Sequence, residues 1–198
     1  MIAAPLAGML YSPCTLKRYN IPGSGAAIIV CNHVSYVDAL LLMAASPRPI
    51  RFLMDHRIFA VPVLGALFRL AKAIPVAPQA ENPAAYAAAF EAADAVLAAG
   101  DLLCIFPEGG ITRDGTLQPF KAGVMKILQK RPTPVVPVAL HKLWGSTFSR
   151  IEGGRAMARP LRRGLFSAVG LSAGPALKPT EVTPEGLHAR VLALLQAG

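Results

Sequence analysis

The stretch Ala26-Ala27-Ile28-Ile29-Val30-Cys31-Asn32-His33-Val34-Ser35-Tyr36-Val37-Asp38 decides how this 198-residue chain is read. Its first six residues form a short apolar run rich in β-branched side chains. Bounded by Gly23-Ser24-Gly25, the run predicts a buried strand. The run Ala39-Leu40-Leu41-Leu42-Met43 that follows predicts a helix. His33 then stands at a strand-to-helix corner, the place where open α/β sheets put their ligands. On one continuous helix, at about 100° per residue, His33 and Asp38 would point well apart. They meet only if His33 lies outside the helix and Asp38 in its first turn. The carboxylate then holds one imidazole nitrogen as N–H and leaves the other free to take a proton. Ser35-x-x-Asp38 also fits a capping box, in which Asp38 merely closes the helix start. Both readings stay open.

About 70 residues on, Leu102-Leu103-Cys104-Ile105-Phe106-Pro107-Glu108-Gly109-Gly110-Ile111-Thr112-Arg113-Asp114-Gly115 reads as a buried strand entering a Gly-rich loop that carries the Glu108 carboxylate and the Arg113 guanidinium. Further strands are expected at 15–19, paired with 26–31, and at 50–54, 74–76, 135–140 and 166–172. Pro137 implies an edge position or a bulge. Helices are expected after Asp38, over 58–70 as two short pieces or one kinked at Pro62 and Gly65, over 83–99 capped by Asn82, over 123–130, and around Leu187, Val191, Leu194 and Leu195. In the 58–70 piece, Phe59, Val63, Leu64, Leu67 and Phe68 form the apolar side. The pattern predicts one α/β domain over 1–198, with about seven strands in a mostly parallel or mixed sheet flanked by helices.

In this order and spacing, the N-H-x-x-x-x-D block at 32–38 and the F-P-E-G block at 106–109 resemble the glycerophospholipid acyltransferase family. The resemblance runs from about residue 26 to about residue 178. It implies transfer of a fatty acyl group from a thioester, on acyl carrier protein or coenzyme A, to a free glycerol hydroxyl of a lysophospholipid. No cofactor beyond that co-substrate and no metal is implied. His33 would be the general base and Asp38 its orienter. Glu108, Gly109 and Gly110 match the block thought to hold the acceptor, the glycines letting backbone N–H groups approach an anionic head group. Arg113 is the charge best placed to reach a phosphate, and Ser35 would either donate to substrate or cap the helix. Pro137 lies in a V-P block that the family carries near the acceptor site.

The departures matter. Members acting on lysophosphatidate usually read F-P-E-G-T-R-S, and Ile111 stands where that arginine would be. A second arginine of those members is replaced by Pro78. Each such contact contributes roughly 1.5–3 kcal/mol, so a phosphate dianion would be held poorly unless Arg113 or Lys121 substitutes. The Ile111-Thr112 pair and Phe148-Ser149-Arg150 look more like the acyltransferase domain of bacterial 2-acylglycerophosphoethanolamine acyltransferases. Lysophosphatidylethanolamine is therefore the expected acceptor, with lysophosphatidate as the alternative. A catalytically silent lipid-binding domain is the reading from another class. A metal hydrolase using His33, Asp38, His56 or His141 lacks ligand spacing.

The net charge is +9, and Lys121 to Arg163 holds ten Lys and Arg against Glu152 alone. Such a balance suits an anionic membrane surface or an acidic carrier protein. Nucleic acid is excluded as a partner because the scarce aromatics are not interleaved with the basic residues. Cys14, Cys31 and Cys104 show no metal spacing. Residues 1–16 read as an apolar interfacial or packing segment, too short to span a bilayer. Their abrupt start suits a domain excised from a longer protein. The expected location is peripheral, at the cytoplasmic face of the cell membrane.

Overall fold

The computed structural model describes residues 16–17, 20–145, 149–151, 155–156 and 169–198. Along the chain run β1 (Leu16–Lys17), β2 (Ala27–Cys31), α1 (Asp38–Ala45), β3 (Ile50–Asp55), a 3-10 helix (His56–Ala60), α2 (Leu64–Leu70), β4 (Ile74–Val76), α3 (Pro83–Ala98) and β5 (Leu102–Ile105). Then come α4 (Gly123–Lys130), β6 (Val135–His141), the antiparallel pair β7 (Arg150–Ile151) and β8 (Arg155–Ala156), β9 (Gly170–Ala173) and α5 (Pro184–Gln196). Seven strands form one sheet in the order β1-β9-β6-β2-β5-β3-β4. All neighbours are parallel except β6 and β9, so the sheet is mixed, as expected.

The two faces of this sheet explain the unbroken apolar runs. In β2, Ala27, Ile29 and Cys31 join one core cluster and Ile28 and Val30 the other. A strand covered on both faces has no solvent side and so shows no alternation. Leu41 and Leu42 of α1 and Phe68 of α2 pack on the first face. Ala89, Ala93 and Leu97 of α3, Val124, Ile127 and Leu128 of α4, and Leu187 of α5 pack on the second. Each large side chain so buried contributes roughly 1.5–3 kcal/mol. Asn82 caps α3 as its sequence predicts, its Oδ1 accepting the Ala85 N–H at 2.9 Å.

Three expectations are corrected. β1 pairs with β9, because both edges of β2 are already taken by β5 and β6. Pro137 sits on an interior strand, opposite Val30. On its other side its carbonyl accepts the Gly174 N–H at 2.8 Å, and the antiparallel register slips there by one residue, since Val138 pairs with Ala173 but Val135 bridges Leu177. The bulge half of that expectation holds, and it lies in the partner segment. Third, Val63 is 80% exposed instead of packed, at φ +65°, a strained conformation for a β-branched residue. The segment splits into two short helices, and a Cβ on Gly65 would lie 2.3 Å from the Phe59 carbonyl oxygen. The expected segment 1–15, residues 18–19 and residues 166–168 lie outside the described residues.

Candidate active site

β2 and β5 are adjacent and parallel, with Val30 opposite Ile105. Three residues beyond that pair on each strand, past the end of the ladder, the His33 backbone N–H donates to Glu108 Oε1 at 2.6 Å. Two blocks far apart in sequence therefore leave the same edge of the sheet side by side, at the carboxyl ends of parallel strands.

His33 Nδ1 lies 2.8 Å from Asp38 Oδ2, with Asp38 wholly buried and the imidazole 19% exposed. The same Oδ2 accepts the backbone N–H groups of Val34 at 2.8 Å and Ser35 at 3.0 Å. One oxygen of Asp38 thus ties down the loop before α1 and holds the imidazole, while the start of α1 has no side-chain cap. Its Oδ1 has no hydrogen-bond partner among the described residues. Phe106 stacks on the His33 ring, centroids 4.2 Å apart and planes 18° apart, which fixes the ring's plane. With Nδ1 held by the carboxylate, Nε2 is left to exchange a proton.

The F-P-E-G block turns out to serve His33 as much as any substrate. Glu108 is 8% exposed, and its second oxygen accepts the Gln118 N–H at 2.8 Å. Burial pushes its carboxyl above the ordinary range, against the pull of the Gln118 and His33 N–H donors. The Thr112 N–H donates to the His33 carbonyl at 2.9 Å, and the Thr112 hydroxyl, 2% exposed as a residue, joins the turn around Asp114 and Thr116. Those hydroxyl and N–H donors hold the Asp114 carboxyl below its ordinary value, the Thr116 hydroxyl foremost. Ser35 is fully buried, its Oγ accepting the Val37 N–H at 3.4 Å within the loop before α1. Pro137 is likewise buried within the sheet, away from the edge where His33 emerges.

Exposed on that edge are Gly109, Gly110, Arg113 and Lys121. Gly109 has φ +73°, and a Cβ there would fall 2.3 Å from Lys121 Nζ, so the ammonium lies directly over the glycine. The Lys121 N–H donates to the Pro107 carbonyl at 2.9 Å, which ties this cation to the block. Farther along α4 the basic surplus is partly spent: Lys130 pairs with Glu91, and Arg131 Nε donates to Asp94 at 2.6 Å. Behind the His33 segment lies a cavity of about 110 Å³, whose walls include Asn32, Val34, Glu108, Lys142, Trp144 and Leu195.

Sequence reasoning missed three contributors. Phe106 was quoted only as part of a motif. Asn32, 2% exposed, pairs both ends of its amide with the Leu140 backbone, donating at 3.1 Å and accepting at 2.8 Å, and so anchors the His33 segment to β6. Gln118 acts through its backbone, which no side-chain pattern reveals. Among the described residues no group of three or more His, Cys, Asp or Glu is placed to hold a metal ion. Burial pushes the Cys31 and Cys104 thiols well above their ordinary values, which leaves them unreactive.

An α/β sheet that presents a buried-acid-held imidazole beside a glycine loop is the arrangement to set against known proteins. The family model described as Acyltransferase matches residues 15–141. A 1-acyl-sn-glycerol-3-phosphate acyltransferase from Cocos nucifera is 33% identical over 148 residues, covering 73% of this chain and 47% of its own. One from Limnanthes douglasii is 34% identical over 64% of this chain and 46% of its own. The crystal structure of the 1-acyl-sn-glycerophosphate acyltransferase from Thermotoga maritima superposes with a TM-score of 0.65 at 23% identity, covering 90% of this chain and 67% of that one. The chain belongs to the acyltransferase family, among its glycerophospholipid members. It spans about half the length of the curated relatives it matches. These relatives are lysophosphatidate enzymes by name, and not the ethanolamine-lipid group to which Ile111-Thr112 pointed.

Proposed function

We propose that this chain transfers a fatty acyl group from a thioester to the free glycerol hydroxyl of 1-acylglycerol-3-phosphate. The observation that carries the reading is the His33 Nδ1 to Asp38 Oδ2 contact of 2.8 Å, which leaves Nε2 as the ring nitrogen that can exchange a proton. His33 Nε2 takes the hydroxyl proton as that oxygen attacks the thioester carbonyl. Asp38 stabilises the imidazolium so formed. The C–S bond then breaks, the thiolate leaves with the proton returned by His33, and an ester and a free thiol result. Lys121 over Gly109, with Arg113 beyond it, supplies the positive charge for the acceptor's phosphate that Ile111 and Pro78 do not. The names of the relatives support lysophosphatidate over lysophosphatidylethanolamine.

The uncharged Ile111 favours one second reading, a lysophosphatidylethanolamine acceptor. Purified protein given one acyl thioester and either acceptor separates the two. Faster turnover of lysophosphatidate is expected, and faster turnover of lysophosphatidylethanolamine would replace the first reading by the second. A chain in which His33→Ala changes neither rate would be no enzyme of this mechanism.

The donor is either acyl carrier protein or coenzyme A thioester, distinguished by supplying each in turn. The proposed setting is peripheral, on an anionic membrane surface at the cytoplasmic face. Support comes from Val61, Val63 and Leu70, three of the four large apolar side chains exposed among the described residues, which share one segment with Arg57, Arg69 and Lys72. Among those residues no helix is long and apolar enough to cross a membrane.

A further inference from the structure

We propose that Glu108 is a positioning residue: its carboxylate holds the His33 backbone where the imidazole must stand, and it makes no contact with the acceptor. The proposal rests on the acyl-transfer reading for its rate consequences, but its geometry stands apart from it. Glu108 Oε1 takes the His33 N–H at 2.6 Å and Oε2 takes the Gln118 N–H at 2.8 Å. Each oxygen is engaged by a backbone donor, and the residue is 8% exposed. An acceptor-binding carboxylate would present an open oxygen to solvent.

The neighbouring residues complete a clamp. From the same loop the Thr112 N–H holds the His33 carbonyl at 2.9 Å, so the two backbone polar groups of His33 are gripped from one side by residues four positions apart. Phe106, two residues before Glu108, lies flat against the ring. The seven residues from Phe106 to Thr112 therefore set the position, backbone direction and ring plane of His33, while Asp38 sets its tautomer. Burying a carboxylate is costly, as the upward push on its proton affinity shows, and two charge-assisted N–H bonds offset that cost only while both are made. Proton transfer loses about a hundredfold for misplacement of about 1 Å, which is the scale at which such a clamp acts.

Glu108→Gln tests this, since the amide keeps the shape but has one accepting oxygen for two donors. Two readouts are taken on the full chain. In steady-state turnover of lysophosphatidate, kcat should fall 10- to 100-fold with the acceptor KM unchanged. In a His33→Ala background the same substitution should bring no further loss. Independently of turnover, amide hydrogen exchange at His33 or Gln118 should speed up at least tenfold in Glu108→Gln, with exchange in β2 and β5 unchanged. A raised acceptor KM at constant kcat would overturn the proposal in favour of acceptor binding, and unchanged exchange at both amides would overturn the clamp itself. If the native chain transfers no acyl group, the acyl-transfer reading fails while the exchange result still decides the clamp. Should Glu108→Gln not fold, Glu108→Asp, which retains the charge but retracts it by one methylene, is put through the same exchange measurement with the same two outcomes.

Discussion

The His33 backbone N–H and the Glu108 carboxylate meet at 2.6 Å just beyond the last β2–β5 pair, Val30 and Ile105, so a side chain joins the two segments where the ladder has ended. The parallel pairing of two central strands is what converts two remote blocks of sequence into one site. Residues that look like separate substrate contacts in the chain, Glu108 and Thr112 above all, become the frame in which the imidazole is set.

Asp38→Asn should lower kcat at least 100-fold with little change in acceptor KM. Because the single Oδ2 meets the Val34 and Ser35 N–H groups and His33 Nδ1, an amide oxygen kept there leaves the imidazolium without a carboxylate charge beside it, and an NH2 turned there favours the wrong tautomer and gives up both backbone bonds. Thioester release followed by thiol titration gives kcat, and a loss below threefold would remove Asp38 from the mechanism.

Phe106→Ala removes the ring that stacks on His33 and lies 6.3 Å from the Phe52 ring. About 1–2 kcal/mol of stability should go with the half-buried side chain, together with roughly a tenfold drop in kcat. Phe106→Leu should recover most of the stability but less of the rate, because an aliphatic side chain fills the space without fixing a ring plane. Urea midpoints and turnover measured on both variants check this.

Gly109→Ala forces an L residue to φ +73° and drives Lys121 Nζ from its place. The backbone term costs about 1–2 kcal/mol. The displaced ammonium should raise the KM for lysophosphatidate several-fold while leaving the KM for an uncharged monoacylglycerol alone. Equal rises for both acceptors would place Lys121 outside phosphate binding.

His141 gives a pH dependence of stability that is independent of the site. Burial foremost, then the neighbouring Lys142, holds its imidazole below the ordinary value, while its Nε2 lies 3.0 Å from Ser172 Oγ. A histidine with a lowered folded-state value leaves the unfolded chain binding more protons than the folded one between the two values. Its contribution is complete above the unfolded value, near pH 6.5, and is lost as pH falls through the folded value. His141→Gln should therefore flatten the acid side of a stability–pH curve from urea titrations. An unchanged slope would show that other groups carry it.

The fold was legible where both faces of a strand are buried. Runs such as Ile28-Ile29-Val30 and Leu102-Leu103-Cys104 need no partner to be recognised, since any parallel sheet covered on both sides would bury them alike. The cap at Asn82 and the start of α3 were legible for a local reason too, the side chain satisfying a backbone donor three residues on. Val63 was not, because helical spacing counts positions but does not show that the backbone turns to φ +65° there and carries the side chain out to solvent.

By itself the chain of residues determined most of the sheet's strands, that His33 falls at a corner, and that Asp38 could reach it from the first turn of the helix, all of them consequences of spacing and local backbone geometry. Only the tertiary structure decided that β1 goes to β9, that Ser35 and Pro137 are buried, and that the Glu108 carboxylate grips the His33 backbone. Those outcomes depend on which strands are neighbours and in what register. Pairing energy is nearly the same for any two apolar strands, so neighbour and register are settled by the packing of the whole sheet and not by either strand alone.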